Sequence, residues 1–328
     1  MKLDLNLPKF PTTSVGSFPK PDYLVEARKK FYRKEISRGE LLEFEERATR
    51  DFIELQKRVD LDVFVDGEAE RGDMATFFAE RLGGFKISEP VRSYGNRFYK
   101  KPTIVSEIEF RESMTKHFFE FAQNLTSKPV KGMLTGPYTM TDWSFNEFYG
   151  SREEVVRAFA KVLREEAIEL QKAGCKIIQI DEPALSVRSD EIELAAEGLR
   201  LVLDGLEMYS ITHICYGAFE HLAPKIKLLP VDQIDLEFAG RDFELLGQLK
   251  GYDFPQDVGF GVFDVHTHKI TSHEKILSNL EKALEFFKPE QIWVDPDCGL
   301  KTRTLEESEE SIREMVVATK NLRENFKN

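Results

Sequence analysis

The chain has 328 residues, of which 41% are hydrophobic and 32% charged, with a formal net charge of -12. That balance supports a buried core under a solvated surface, and the acidic surplus argues against a nucleic-acid partner, whose binding relies on basic patches. No stretch approaches the roughly 20 apolar residues needed to cross a bilayer, and the start from Met1 to Ser14 lacks an apolar run behind a basic one, so a cytoplasmic protein with no membrane partner is expected.

In chain order, β-prone runs fall at Thr12–Val15, Asp62–Val65, Val130–Leu134, Lys176–Ile180, Ser210–Thr212, Gln233–Leu236, Val258–Phe263 and Gln291–Val294. Helical periodicity fills the gaps, most clearly over Arg152–Lys172, Ser189–Leu206, Ser272–Phe287 and Leu305–Asn325, with Ser151, Ser189 and Ser272 as expected N-caps. Eight strands alternating with helices predict an α/β fold, a (β/α)8 TIM barrel forming one catalytic domain over residues 1–328; a doubly wound open sheet is the rival. Between the second and third strands the chain is longer than a crossover helix needs. Within it, Ser93-Tyr94-Gly95-Asn96-Arg97 resembles a turn between two β-prone runs, which predicts an inserted hairpin at about residues 83–112.

In such a barrel the chemistry gathers where the strands end. The successive ends carry Gly16-Ser17-Phe18-Pro19, Asp66-Gly67-Glu68, Thr135-Gly136-Pro137, Asp181-Glu182-Pro183, His213-Ile214-Cys215, Glu237, Asp264-Val265-His266 and Asp295-Pro296-Asp297-Cys298-Gly299. Three of them bring ligands that suit zinc: the imidazole of His213, the thiols of Cys215 and Cys298, and the carboxylate of Glu237. Alternate residues of a strand share a face, so the His-x-Cys spacing aims both side chains one way. Taken singly, each has a bland reading: the cysteines as small buried hydrophobes, His213 as a satisfied core histidine, Glu237 as a solvated carboxylate. Their joint placement, using two of only three cysteines, favours a metal site. Cys175 lies at the opposite end of its strand and is expected to be structural, and so sparse a set makes no disulfide framework.

With these residues in view, the chain resembles the catalytic C-terminal barrel of cobalamin-independent methionine synthase, in its short, single-barrel, archaeal-type form. The resemblance runs through Gly16-Ser17-Phe18-Pro19, Asp66-Gly67-Glu68-Ala69-Glu70-Arg71, Gly136-Pro137 with Trp143-Ser144, Ile180-Asp181-Glu182-Pro183-Ala184-Leu185, His213-Ile214-Cys215-Tyr216, and Asp295 through Arg303. It implies a zinc ion on His213, Cys215, Glu237 and Cys298, and homocysteine held by Ser17, Glu68 and Asp181. It further implies a histidine assisting the reaction at His266, and a folate donor stacked on Trp143. By spacing alone Trp143 reads as a packing residue, and His266 equally as a packing or ligand-orienting one. Some short relatives of this kind are thought to take the methyl group from a methylated corrinoid, so methylfolate and a methylcorrinoid, with a corrinoid protein to deliver it, both stand as donors.

The chemistry is coherent with those groups. Metal coordination removes the proton of a thiol that is otherwise mostly un-ionised at neutral pH, and Glu68 with Asp181 can pair with the homocysteine ammonium while backbone N–H groups near Ser17 receive its carboxylate. A folate leaves as an amine and must gain a proton, for which His266, alone or through Asp264, is the candidate acid; a corrinoid leaves without one. Three alternatives stand beside this: a salt-bridge network of Glu68 and Asp181 with Arg71 or Arg188, a methyl- or alkyltransferase for another thiol such as coenzyme M, and a non-enzymatic zinc-binding descendant. A thiol bearing a sulfonate would want cations where Glu68 and Asp181 stand.

Overall fold

The computed structural model describes residues 3–92, 98–215, 222–252 and 254–326. Its strands among the described residues are β1 (Gly83–Arg92), β2 (Phe98–Glu109), β3 (Lys131–Thr135), β4 (Phe145–Asn146), β5 (Ile177–Asp181), β6 (Tyr209–Ile214), β7 (Gln233–Leu236), β8 (Asp257–Gly261) and β9 (Ile292–Asp295). The last six expected runs thus form strands with boundaries moved by a residue or two. They lie parallel in one sheet in the order β3-β5-β6-β7-β8-β9. Every position in these strands is buried, the pattern of a parallel sheet covered on both faces.

The first two expected runs do not extend into strands. Each makes a single parallel bridge, Thr12 to Val294 and Phe64 to Val130. A side chain stands in for ladder bonds here: the Asp62 carboxylate accepts from Thr12 N at 2.9 Å and Thr12 Oγ1 at 2.8 Å. Backbone bonds tie these two runs to the sheet nonetheless, from Thr13 N to Val294 O (3.0 Å), Val63 N to Thr12 O (3.0 Å), Phe64 N to Pro129 O (2.9 Å) and Lys131 N to Phe64 O (2.9 Å).

β1 and β2 pair antiparallel from Gly83 opposite Glu109 to Arg92 opposite Phe98, inside the long second connection. The expected turn at Ser93–Arg97 lies outside the described residues, as does Tyr216. The two-residue β4 adds parallel to β2, a third strand too short to leave a periodicity in the sequence. The chain returns to the core at the fully buried Glu166, whose carboxylate accepts from Met114 N (2.8 Å), Thr115 N (2.7 Å), Thr115 Oγ1 (2.6 Å) and Ser113 Oγ (3.0 Å).

Two of the expected N-caps need correction. Ser151 caps Arg152–Lys172 by accepting from Glu154 N at 3.2 Å. Ser189 instead opens a single 3-10 turn, and the α-helix runs Ile192–Leu203; the tight turn is anchored by the Glu191 carboxylate, which accepts from Tyr138 Oη (2.6 Å) and Arg152 Nε (2.7 Å). Ser272 occupies the cap position of His273–Ala283 but its side chain makes no capping bond, and Glu314 Oε2 accepts from His273 N at 2.6 Å. The last helix, Leu305–Glu324, starts with a capping box between Thr304 and Glu307. Among the described residues no helix is long and apolar enough to cross a membrane.

Candidate active site

His213 is the fifth residue of β6 and Cys215 directly follows that strand, so the alternation of an extended chain turns both the same way. Glu237 directly follows β7, and Cys298 comes three residues after β9. One ligand atom from each of these four lies within 4.8 Å of all the others. Both His213 and Glu237 are buried, and the two thiols are half-buried.

The set fits a metal ion. A tetrahedral ion with bonds of about 2.0–2.3 Å separates its donors by about 3.3–3.8 Å, and these ligand atoms, all within 4.8 Å of one another, need only a small inward shift to meet it. Among the described residues neither ring nitrogen of the buried His213 meets a conventional nitrogen or oxygen partner, and the neighbour that the imidazole faces is the Cys298 thiol. With Cys215 beside it and burial around it, the Cys298 thiol is held well above its usual range, so a cation is what would bring it to the thiolate. Two sulfurs, one nitrogen and one oxygen are a donor set that zinc accepts.

Asp297, next to a ligand, ties this group together. Its carboxylate accepts from Phe238 N (3.0 Å), Ala239 N (2.9 Å) and Gly240 N (2.6 Å), binding the loop after Glu237 to the segment that carries Cys298. Gly261 leaves the space, since a Cβ there would stand 2.2 Å from Asp297 Oδ1.

Asp181 lies within electrostatic reach of His213 and of Glu68, and Ser17 packs against Gly299, the neighbour of Cys298. Gly299 faces Ser17 so closely that a Cβ on it would lie 2.2 Å from Ser17 Oγ, and Leu300 N donates to Ser17 O at 2.7 Å. Phe18 N donates to Gly67 O at 3.2 Å, joining the Ser17 and Glu68 loops. Gly67 and Glu68 both take left-handed φ values, 79° and 55°; at Gly67 the Phe52 ring leaves no room for a Cβ. Lys20 holds this turn by donating from Nζ to Gly67 O (3.1 Å) and Glu68 O (2.6 Å), and burial lowers its pKa to about 8. Asp181 closes β5 and accepts from Gln179 Nε2 at 2.8 Å; burial raises its carboxyl to about 6.

Part of the expected salt-bridge alternative is present. Arg71 pairs with Glu68 at 3.3 Å and with Glu70 at 3.3 Å, and also donates to Met133 O at 2.7 Å. Arg188 pairs instead with Asp142 at 2.8 Å. Trp143 is half-buried at the end of the short helix Pro137–Asp142, packed against the core. That helix is positioned by the fully buried Glu182, whose carboxylate accepts from Tyr138 N (3.1 Å), Thr139 N (2.7 Å) and Thr139 Oγ1 (2.7 Å) while burial raises it to about 8. His266 Nε2 is 3.9 Å from Glu237 Oε1, at the edge of the ligand group. Asp264 turns to the His266 backbone N–H (2.8 Å). Cys175 is buried at the start of β5, its Sγ donating to Ile177 O at 3.1 Å, with burial pushing the thiol up to about 12.

Comparison with known proteins gives a consistent pattern. Residues 10–321 match the family model for the cobalamin-independent synthase catalytic domain. The chain is 38% identical over 322 residues to the methionine synthase of Saccharolobus solfataricus, covering 98% of this chain and 97% of that one. It is 39% identical over 323 residues to that of Sulfurisphaera tokodaii, covering 98% and 95%. Among solved structures it is similar to a B12-independent methionine synthase from Shewanella sp. W3-18-1 in complex with selenomethionine, with a TM-score of 0.85, 28% identity and coverage of 97% and 99%.

Proposed function

The chain belongs to the cobalamin-independent synthase catalytic-domain family, and from that premise we propose that it is a methyltransferase which makes methionine by moving a methyl group onto the thiol of homocysteine at a zinc site. The observation that carries this reading is the convergence of His213, Cys215, Glu237 and Cys298 at strand ends, bordered by Ser17, Glu68 and Asp181. The selenomethionine bound by the Shewanella relative is an analogue of the methylated product, which supports the same substrate class.

Bound by the four residues, zinc supplies the positive charge that keeps a substrate thiol ionised and nucleophilic at neutral pH. Asp181 and Glu68 receive the homocysteine ammonium, Arg71 having only a 3.3 Å contact with Glu68 to give up. Ser17 lies against Gly299 and takes the carboxylate end with neighbouring N–H groups. So held, the sulfur attacks the methyl carbon in line as the donor's bond to that carbon breaks; the rate gain comes from fixing both partners. Trp143 offers its ring to a flat donor. His266, beside Glu237 and partly open to solvent, is the group to protonate a departing folate amine. The acids Glu68 and Asp181 disfavour a sulfonate thiol such as coenzyme M.

To the same proposal belong the reading of the ring as a closed (β/α)8 barrel, of β1 and β2 as a hairpin inserted in a single catalytic domain, and of a cytoplasmic location, where reduced thiols persist. The test is methionine formation by zinc-loaded protein given homocysteine with methylfolate or with a methylated corrinoid, using wild type and His266→Asn. Methionine should form with at least one donor and only when zinc is bound. His266→Asn should slow a folate reaction by roughly 10²–10⁴-fold and a corrinoid reaction far less. No methionine from either donor would refute the reading, and equal losses with both would reject the acid role.

A further inference from the structure

Below the proposed ammonium site the interior of the sheet is polar. Lys131, the first residue of β3, and Gln179, the third of β5, are both fully buried. Lys131 Nζ donates to Gln179 Oε1 at 2.5 Å and lies 3.5 Å from Val15 O. Gln179 Nε2 donates to Asp181 Oδ1 at 2.8 Å and to Val15 O at 2.9 Å. Val15 O and the Asp181 carboxylate oxygen can only accept, so the N–H groups of Gln179 face them and its amide oxygen is left for Lys131. Burial lowers the pKa of Lys131 while the neighbouring buried Asp235 and Asp295 oppose that shift, and Gly259 gives these carboxylates room, a Cβ there falling 1.5 Å from Asp235 Oδ1.

The consequence reaches two loops at once. Val15 is two residues before Ser17, and Asp181 shares a strand face with Gln179. One amide therefore fixes the spacing between them and occupies Oδ1 of Asp181, leaving Oδ2 for a ligand. We propose that Gln179, oriented by Lys131, is a positioning residue that sets the preference for a thiol substrate carrying an α-ammonium group. This rests on the reading of Asp181 as the ammonium partner. A buried hydrogen bond that aims a charged acceptor contributes to binding only when the substrate brings the matching cation, so its loss falls on homocysteine and spares the same thiol without the amine.

The experiment compares homocysteine with 4-mercaptobutanoate, which lacks only the amino group, by calorimetric titration of zinc-loaded wild type, Gln179→Leu, Gln179→Glu and Asp181→Asn. The Glu variant keeps an acceptor for Lys131 while losing both N–H donors, so it reports even if the Leu variant fails to fold. Zinc content is measured for each. Homocysteine binding should weaken by about tenfold to a hundredfold in the Gln179 variants, with 4-mercaptobutanoate changed by less than about threefold. Equal weakening of both thiols, or an unchanged preference, would overturn the proposal. Should Asp181→Asn also retain the preference, the ammonium assignment itself fails; should it alone abolish the preference, only the role of Gln179 does.

Discussion

Asp297 shows how much of this site depends on a residue that touches no substrate. Its three N–H contacts bind the loop after Glu237 to the segment carrying Cys298, so two of the four ligand positions rest on one carboxylate. In Asp297→Asn one oxygen becomes an N–H donor facing N–H donors, and zinc should bind about 10–100-fold more weakly. Competition with a chromophoric chelator measures this, and an unchanged affinity would show that the ligands are held by other means. The convergence of His213, Cys215, Glu237 and Cys298 was legible in the sequence because few residue types bind metal and these stood at strand ends. Asp297, Gln179 and Glu182 were not: an acid or amide in a strand-end motif reads the same whether it meets solvent or three buried donors. Only the fold brings those donors to it. The Glu68–Arg71 pair was foreseen as an alternative and is present, whereas Arg188 lies with Asp142.

At the scale of elements, periodicity located the six sheet strands and four of the helices, but did not single out Arg38–Val59, the longest among the described residues. The first two runs, Thr12–Val15 and Asp62–Val65, carry the right residues yet form one bridge apiece, and the Asp62 carboxylate takes the Thr12 N–H and hydroxyl. Ser189 and Ser272 have the chemistry of caps, yet Ser189 lies inside a 3-10 turn and Ser272 makes no capping bond; distant contacts, Glu191 with Arg152 and Glu314 with His273, accompany these helix starts. The return from the β1–β2 insertion rests likewise on a distant carboxylate. Removing it in Glu166→Ala leaves the Met114 and Thr115 N–H groups buried without acceptors. This should cost about 2–4 kcal/mol of stability. Denaturant unfolding would show it, and a loss below about 0.5 kcal/mol would mean water replaces the carboxylate without penalty.

For the molecule as a whole, the strand ends gather the proposed metal ligands and the proposed amino-acid ligands into neighbouring positions, linked by Leu300 to Ser17 and Phe18 to Gly67 bonds across separate loops. That adjacency is why a metal and a substrate thiol are expected to meet in one place, and it could be anticipated from the order of motifs though not from any one of them. Homocysteine binding measured calorimetrically on zinc-loaded protein, zinc-stripped protein and Cys298→Ser tests it directly. Binding should be tight with zinc, and weaker by about a hundredfold or more in the stripped protein and in Cys298→Ser, reflecting loss of a metal–thiolate contact beyond the ammonium and carboxylate contacts. Equal affinity with and without zinc would contradict the claim that the thiol and the metal share one site.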